Sequence, residues 1–149
     1  MDAKLTDAIE PRIRPLVDAL NATGLVQTFS SCEGHYAPHD QTLVDRNRAE
    51  VRFVPIPGVS MERVEQLLAG LLTSFKVRHG LIPINLIGYK LYTPIDDVTI
   101  EETFVLELRP FNRFDPPERK RADTDRAVEQ VVQSLTGLII PPGQTRLIE

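Results

Sequence analysis

Little in this chain can crosslink it or carry it into a membrane. It has one cysteine, Cys32, so no disulfide can form within the chain, and a single thiol suits a reducing compartment. Tryptophan is absent, and glycine is modest at 8 residues against 12 prolines. No apolar run approaches the ~20 residues of a membrane span. The opening Met1-Asp2-Ala3-Lys4-Leu5-Thr6-Asp7 lacks the basic-then-apolar pattern of a signal peptide, so a cytoplasmic location is expected. There is also no excess of positive charge. With 21 acidic against 17 basic residues the net charge is −4, which disfavours a protein that coats duplex DNA.

What is present is an ordinary globular composition. Its 149 residues, 42% hydrophobic and 26% charged, suffice for one domain over 1–149 with a full core. Neither a metal nor a crosslink is needed merely to fold it. No repeat, low-complexity tract or charged tail interrupts the chain.

Helical periodicity occurs three times. A first helix is expected over roughly Asp7 to Ala22, with Ile9, Ile13, Leu16, Val17 and Leu20 on one face and Gly24 as its stop. Pro15 would remove a backbone bond in mid-helix, so the spacing predicts either a kink there or a regular helix starting only near Pro15. A second helix follows Ser60 as cap and reaches about Val77, with Val64, Leu67, Leu68, Leu71, Leu72 and Phe75 at i, i+3, i+4, i+7 spacing. The third is expected from about Asp123 to Leu135, striped by Ala127, Val128, Val131, Val132 and Leu135 and ended by Gly137. The apolar Leu138-Ile139-Ile140-Pro141-Pro142 that follows is barred by its prolines from continuing a helix.

Four strand-like segments lie between them: Leu25 to Ser30, Glu50 to Pro55, Ile84 to Tyr92 and Thr103 to Arg109. In the last, Phe104, Leu106 and Leu108 alternate with Glu107 and Arg109. The order α-β-β-α-β-β-α has strand pairs with no crossover helix, which favours antiparallel neighbours. A two-layer α+β sandwich with a mainly antiparallel sheet is the expected fold.

Chemistry concentrates in Thr28-Phe29-Ser30-Ser31-Cys32-Glu33-Gly34-His35 and the long loop Tyr36 to Arg48. The only cysteine and two of the three histidines fall within eight residues. Cys32, His35 and His39 stand at C-x2-H-x3-H spacing, a thiolate and two imidazoles that zinc accepts, with His79, Asp40, Glu33 or water in a fourth position. Cys32 and His35 can alternatively pair as thiolate and imidazolium for nucleophilic catalysis, although spacing places no acidic orienter beside them. Ser30, Ser31 and Gly34 at a strand end can present hydroxyls and N–H groups to a cofactor or substrate. Plainer roles also exist: Cys32 packed as a small hydrophobe, and Gly34 as an ordinary turn residue.

The run from Ile13-Arg14-Pro15-Leu16-Val17-Asp18-Ala19-Leu20-Asn21 through Gly24 into Thr28-x-Ser30-Ser31-Cys32-x-Gly34 resembles the opening of the tRNA wybutosine-synthesis methyltransferase family. At the position after the motif glycine, where that family commonly has a basic residue, this chain has His35. The resemblance implies an S-adenosylmethionine-dependent enzyme on an α+β fold rather than a Rossmann sheet, acting on RNA or a small molecule. It implies Cys32 and His35 lining a pocket, with Ser30, Ser31 and Gly34 holding cofactor or substrate. Two function classes therefore stand: such a methyltransferase, or a non-catalytic metal- or ligand-binding module, monomeric or homodimeric.

Elsewhere, Arg113 and Arg119-Lys120-Arg121 are interleaved with Asp115, Glu118, Asp123 and Asp125, and read as a solvated loop and helix start. Asp96-Asp97 with Glu101-Glu102 reads as a polar hairpin loop. Tyr89 and Tyr92 read as sheet packing, and His79 as a cation suited to a helix C-terminus.

Overall fold

A computed structural model describes residues 9–37 and 47–138. His39 and Asp40, most of the loop after Tyr36, and the segment 139–142 lie outside these residues. Among the described residues, three helices and four strands follow the expected order: α1 (Arg14–Ala22), β1 (Val26–Cys32), β2 (Ala49–Pro55), α2 (Met61–His79), β3 (Ile84–Pro94), β4 (Ile100–Pro110) and α3 (Pro117–Leu138). Every strand pairing is antiparallel, and the spatial order is β1-β2-β4-β3.

The first helix takes the regular alternative. It begins at Arg14, with Pro15 in its first turn, where the missing N–H has no intrahelical partner to lose. In α2, the Ser60 hydroxyl accepts the Arg63 N–H at 3.1 Å, and the helix runs two residues beyond Val77. The third helix corrects the expected boundary. Pro117 is its first residue, and the N–H groups of Arg119 and Lys120 already bond the Pro116 carbonyl at 3.0 and 3.1 Å. Gly137 lies within it instead of ending it.

All three helices bury their apolar stripes on one sheet face. Leu16, Leu20, Val64, Leu71, Val131 and Leu135 meet Val51, Phe53, Phe104, Leu106 and Leu108 in a single core. Phe53 and Phe104 stack with ring centroids 5.8 Å apart. At about 25 cal/mol per Å² of apolar surface, this burial is the main force holding helices to sheet. Strand β1 continues through Cys32, so Ser30 and Ser31 are ladder residues opposite Arg52 and Val51. A bulge between Thr28 and Ser30 leaves Phe29 exposed.

The opposite sheet face holds a polar network. Glu50 and Glu107 are direct cross-strand partners, only 9% and 4% exposed. Two carboxylates so placed require counter-charge. Arg48 supplies it to both, at 3.2 Å from Glu50 and 3.6 Å from Glu107. Arg52 adds a 2.9 Å bond to Glu50, Arg109 a 3.0 Å bond to Glu107, and the Tyr89 hydroxyl donates to Glu107.

This network gives alkaline pH a defined effect. Burial first, then the hydrogen bond to Glu107, pushes the Tyr89 phenol up to about 12. A free phenol titrates near 10. The folded state thus favours the protonated phenol, and its contribution to stability is complete below pH ~10 and lost as pH rises through about 12. Melting temperature measured across that window should fall less steeply in Tyr89→Phe than in wild type. Parallel curves would show that ionising Tyr89 is not opposed by Glu107.

Candidate functional site

The site forms where β1 ends beside the chain entering α1. Cys32 closes the strand, and Glu33, Gly34, His35 and Tyr36 lead away from it. The Glu33 N–H donates to Glu10 Oε1 at 2.9 Å, and the Arg12 N–H donates to Glu33 Oε1 at 2.9 Å. These reciprocal bonds fasten the pre-helix segment to the strand end. They leave the other Glu10 oxygen, Oε2, facing His35 Nε2 at 3.2 Å. One ligand atom each from Glu10, Cys32 and His35 lies within 4.8 Å of the other two, and all three residues are half-buried.

Helix α3 braces the loop from the other side. Arg121 donates to the Glu33 carbonyl at 2.8 Å and to the Gly34 carbonyl at 3.0 Å, while its Nε–H donates to Asp125 at 3.0 Å. Arg12 pairs with the same Asp125. Tyr36 is buried under this clamp, its hydroxyl sharing a 2.9 Å hydrogen bond with that of Thr124 and its ring 5.1 Å from the Arg121 guanidinium. Burial pushes the Tyr36 phenol up, so it serves as a neutral anchor.

The expected solvated reading of Arg119-Lys120-Arg121 is therefore corrected at two positions. Lys120 is only 5% exposed, donates to Asn47 Oδ1 at 2.6 Å and to the Arg113 carbonyl, and faces the Tyr36 ring. The charge is buried because α3 begins early enough to place its first turn against the loop. A signal existed in the sequence. Stepping back from Ala127 and Val128 by helical intervals reaches Thr124 and then Lys120.

Cys32 and His35 come together as the spacing suggested. Glu10 is the partner that spacing did not reveal, because the whole of α1 separates it from Cys32. Glu33, one proposed fourth ligand, has its side chain engaged by Arg12. His79 packs on Phe75 at the end of α2, apart from the cluster. Asn21 and Thr28, both in the resemblance pattern, clasp each other: Asn21 Nδ2 donates to Thr28 Oγ1 at 3.0 Å, and the Thr28 N–H donates to Asn21 Oδ1 at 2.9 Å. These two residues build the turn from α1 into β1.

A sulfur, an imidazole nitrogen and a carboxylate oxygen form a mixed donor set suited to a borderline ion such as zinc, at bond lengths of about 2.0–2.3 Å. The Glu33 N–H on Glu10 Oε1, which leaves Oε2 toward His35, is the kind of outer hydrogen bond that orients a ligating carboxylate. The same three groups, in the order thiol, imidazole, carboxylate, also resemble a nucleophile with its base and orienter.

Fold and site together define a two-layer antiparallel α+β domain with a Glu/Cys/His cluster at one strand end. No family model matches the chain, and neither does any curated protein or solved structure. Among the described residues, no helix is long and apolar enough to cross a membrane.

Proposed function

We propose that this chain is a metal-binding module in which Glu10, Cys32 and His35 hold a single zinc-class divalent ion. The observation that carries the reading is the convergence of three different donor types from two separate segments, with the Glu10 carboxylate already oriented by the Glu33 N–H on its other oxygen. Three protein ligands leave a coordination position for water or a small anionic ligand, and His39 is the nearest further histidine in sequence.

The test is native mass spectrometry of tag-free protein purified without chelator, followed by zinc titration. One bound ion per chain is expected. Cys32→Ser, His35→Ala and Glu10→Gln should each weaken zinc affinity about 100-fold or more, beyond the ~10–100-fold loss typical of outer-sphere changes. Circular dichroism and melting of the metal-free forms would check that the variants fold. Failure of zinc to bind, with fast alkylation of Cys32 that slows in His35→Ala, would replace the metal reading with the nucleophilic one.

A second reading, carried by the sequence resemblance from Asn21 to Gly34, is the S-adenosylmethionine-dependent methyltransferase acting on RNA or a small molecule. Calorimetric titration with S-adenosylmethionine tests it. Binding that is lost in Ser31→Ala supports it, and absence of heat change at all concentrations sinks it. Gly34→Ala is unsuitable here, since it would disturb the loop's fold.

A further inference from the structure

We infer that the chain forms a two-fold symmetric dimer by antiparallel pairing of β3 with β3 of a second copy. The two outer strands of the sheet differ. β1 is seven residues long and broken by a bulge, a device that discourages edge-to-edge pairing. β3 is eleven residues long, keeps unbroken register with β4 from Ile84 to Pro94, and carries one charged residue, Lys90. That lysine is engaged by Glu65 at 2.6 Å and by Glu102 at 3.5 Å. Among the described residues no strand pairs with the outer edge of β3.

The register can be narrowed. Cross-strand partners must share a sheet face, so a residue of β3 can meet only residues of its own parity. Centring the pairing on Lys90 would oppose two ammonium groups, which is destabilising. Centring it on Tyr89 sets Ile87 against Leu91 and Leu86 against Tyr92, and brings Lys90 opposite Gly88. Pro83 and Pro94 bound the paired stretch.

A second observation makes the occupant another copy of this chain. Antiparallel pairing lays the tip of one β3–β4 hairpin beside the base of the other, and these two ends are complementary. β2 pairs with β4 only from Phe104 to Leu108, so the outer hairpin is a two-stranded ribbon. Its tip exposes Ile95, Val98 and Ile100, Val98 to 91%, among Asp96, Asp97, Glu101 and Glu102. The base exposes Leu81 and Phe111, and has a cleft lined by Leu72, Phe75, Ile84 and Phe111. Lys76 lines this cleft, and the exposed Arg78 lines a second one together with Leu81. Apolar meets apolar and acidic meets basic, twice over, in one symmetric contact. This interface is on the edge of the sheet opposite β1, so it does not depend on the metal reading.

Sedimentation velocity on the full chain tests this over about 1–100 μM, a range that brackets micromolar dissociation constants. A dimer is expected. The tip variant Ile95→Lys/Val98→Lys, altered only at exposed positions, should raise the dimer dissociation constant roughly tenfold or more, because it opposes cations to the basic end. The base variant Lys76→Glu/Arg78→Glu should do the same by opposing acids to the acidic tip. Mixing the two variants should give a heterodimer tighter than either homodimer, since each of its junctions pairs opposite charge. A wild-type monomer throughout would overturn the inference. So would a dimer indifferent to the tip variant, or a mixture without heterodimer preference.

Discussion

Replacing Gly34 with alanine is expected to destabilise the protein by about 2–4 kcal/mol, adding a steric clash to the cost of a strained backbone. Gly34 sits at φ +90°, and a β-carbon there would lie 2.5 Å from the Tyr36 hydroxyl oxygen and 2.7 Å from Cζ. The ring cannot easily retreat, being buried, bonded to Thr124 and covered by Arg121. Gly24 provides the comparison: its φ is +73°, but a β-carbon there meets nothing within 4 Å. Gly24→Ala should therefore cost only the backbone component, about 1 kcal/mol. Urea denaturation of both variants separates strain from clash. Equal losses would mean that the Tyr36 anchor yields, and that the loop is less rigidly held than its hydrogen bonds indicate.

Removing the Arg121 side chain should have the next largest effect. Arg121→Ala deletes two charge-assisted bonds to the carbonyls of Glu33 and Gly34, the bond to Asp125, and the contact with the Tyr36 ring. A loss of about 2–3 kcal/mol is expected, because both carbonyls lose a partner inside a half-buried clamp. Arg121→Lys should recover little of it, since a single ammonium cannot span two carbonyls and a carboxylate in fixed geometry. Under the metal reading, either substitution should also weaken zinc affinity about 10–100-fold, as loss of an outer support does. Denaturation midpoints and zinc titrations on the same preparations check both effects. Full stability in Arg121→Lys would show that charge, and not the forked geometry, holds the loop.

Local pattern made most of the architecture legible. The α2 stripe Val64-Leu67-Leu68-Leu71-Phe75 has one periodicity and one reading, as does the alternation Phe104-Leu106-Leu108. Both come from residues within a few positions of each other, so the buried side can be read without knowing what covers it. The start of α3 was obscured for the converse reason. After Pro117 it opens with Glu118-Arg119-Lys120-Arg121, four charged residues, and charge ordinarily marks solvent. Only the arrival of Tyr36 and Asn47 from distant parts of the chain gives Lys120 a reason to be buried.

The candidate site divides along the same line. Cys32 and His35 are three residues apart, and their joint presence was visible in spacing alone. Glu10 joins them because α1 folds back along β1, a consequence of core packing around Ile13, Leu16 and Leu20 that no local motif records. The sequence by itself determined which segments are helix or strand, the antiparallel order, and where reactive side chains cluster, since each depends on short-range periodicity. Tertiary structure alone decided which carboxylate faces His35, why Gly34 must be glycine, and which arginine braces the loop. Those properties depend on contacts between residues far apart in the chain, such as Thr124 and Arg121 holding the Tyr36 ring over Gly34, whose meeting is fixed only when the helices bury their apolar faces on the sheet.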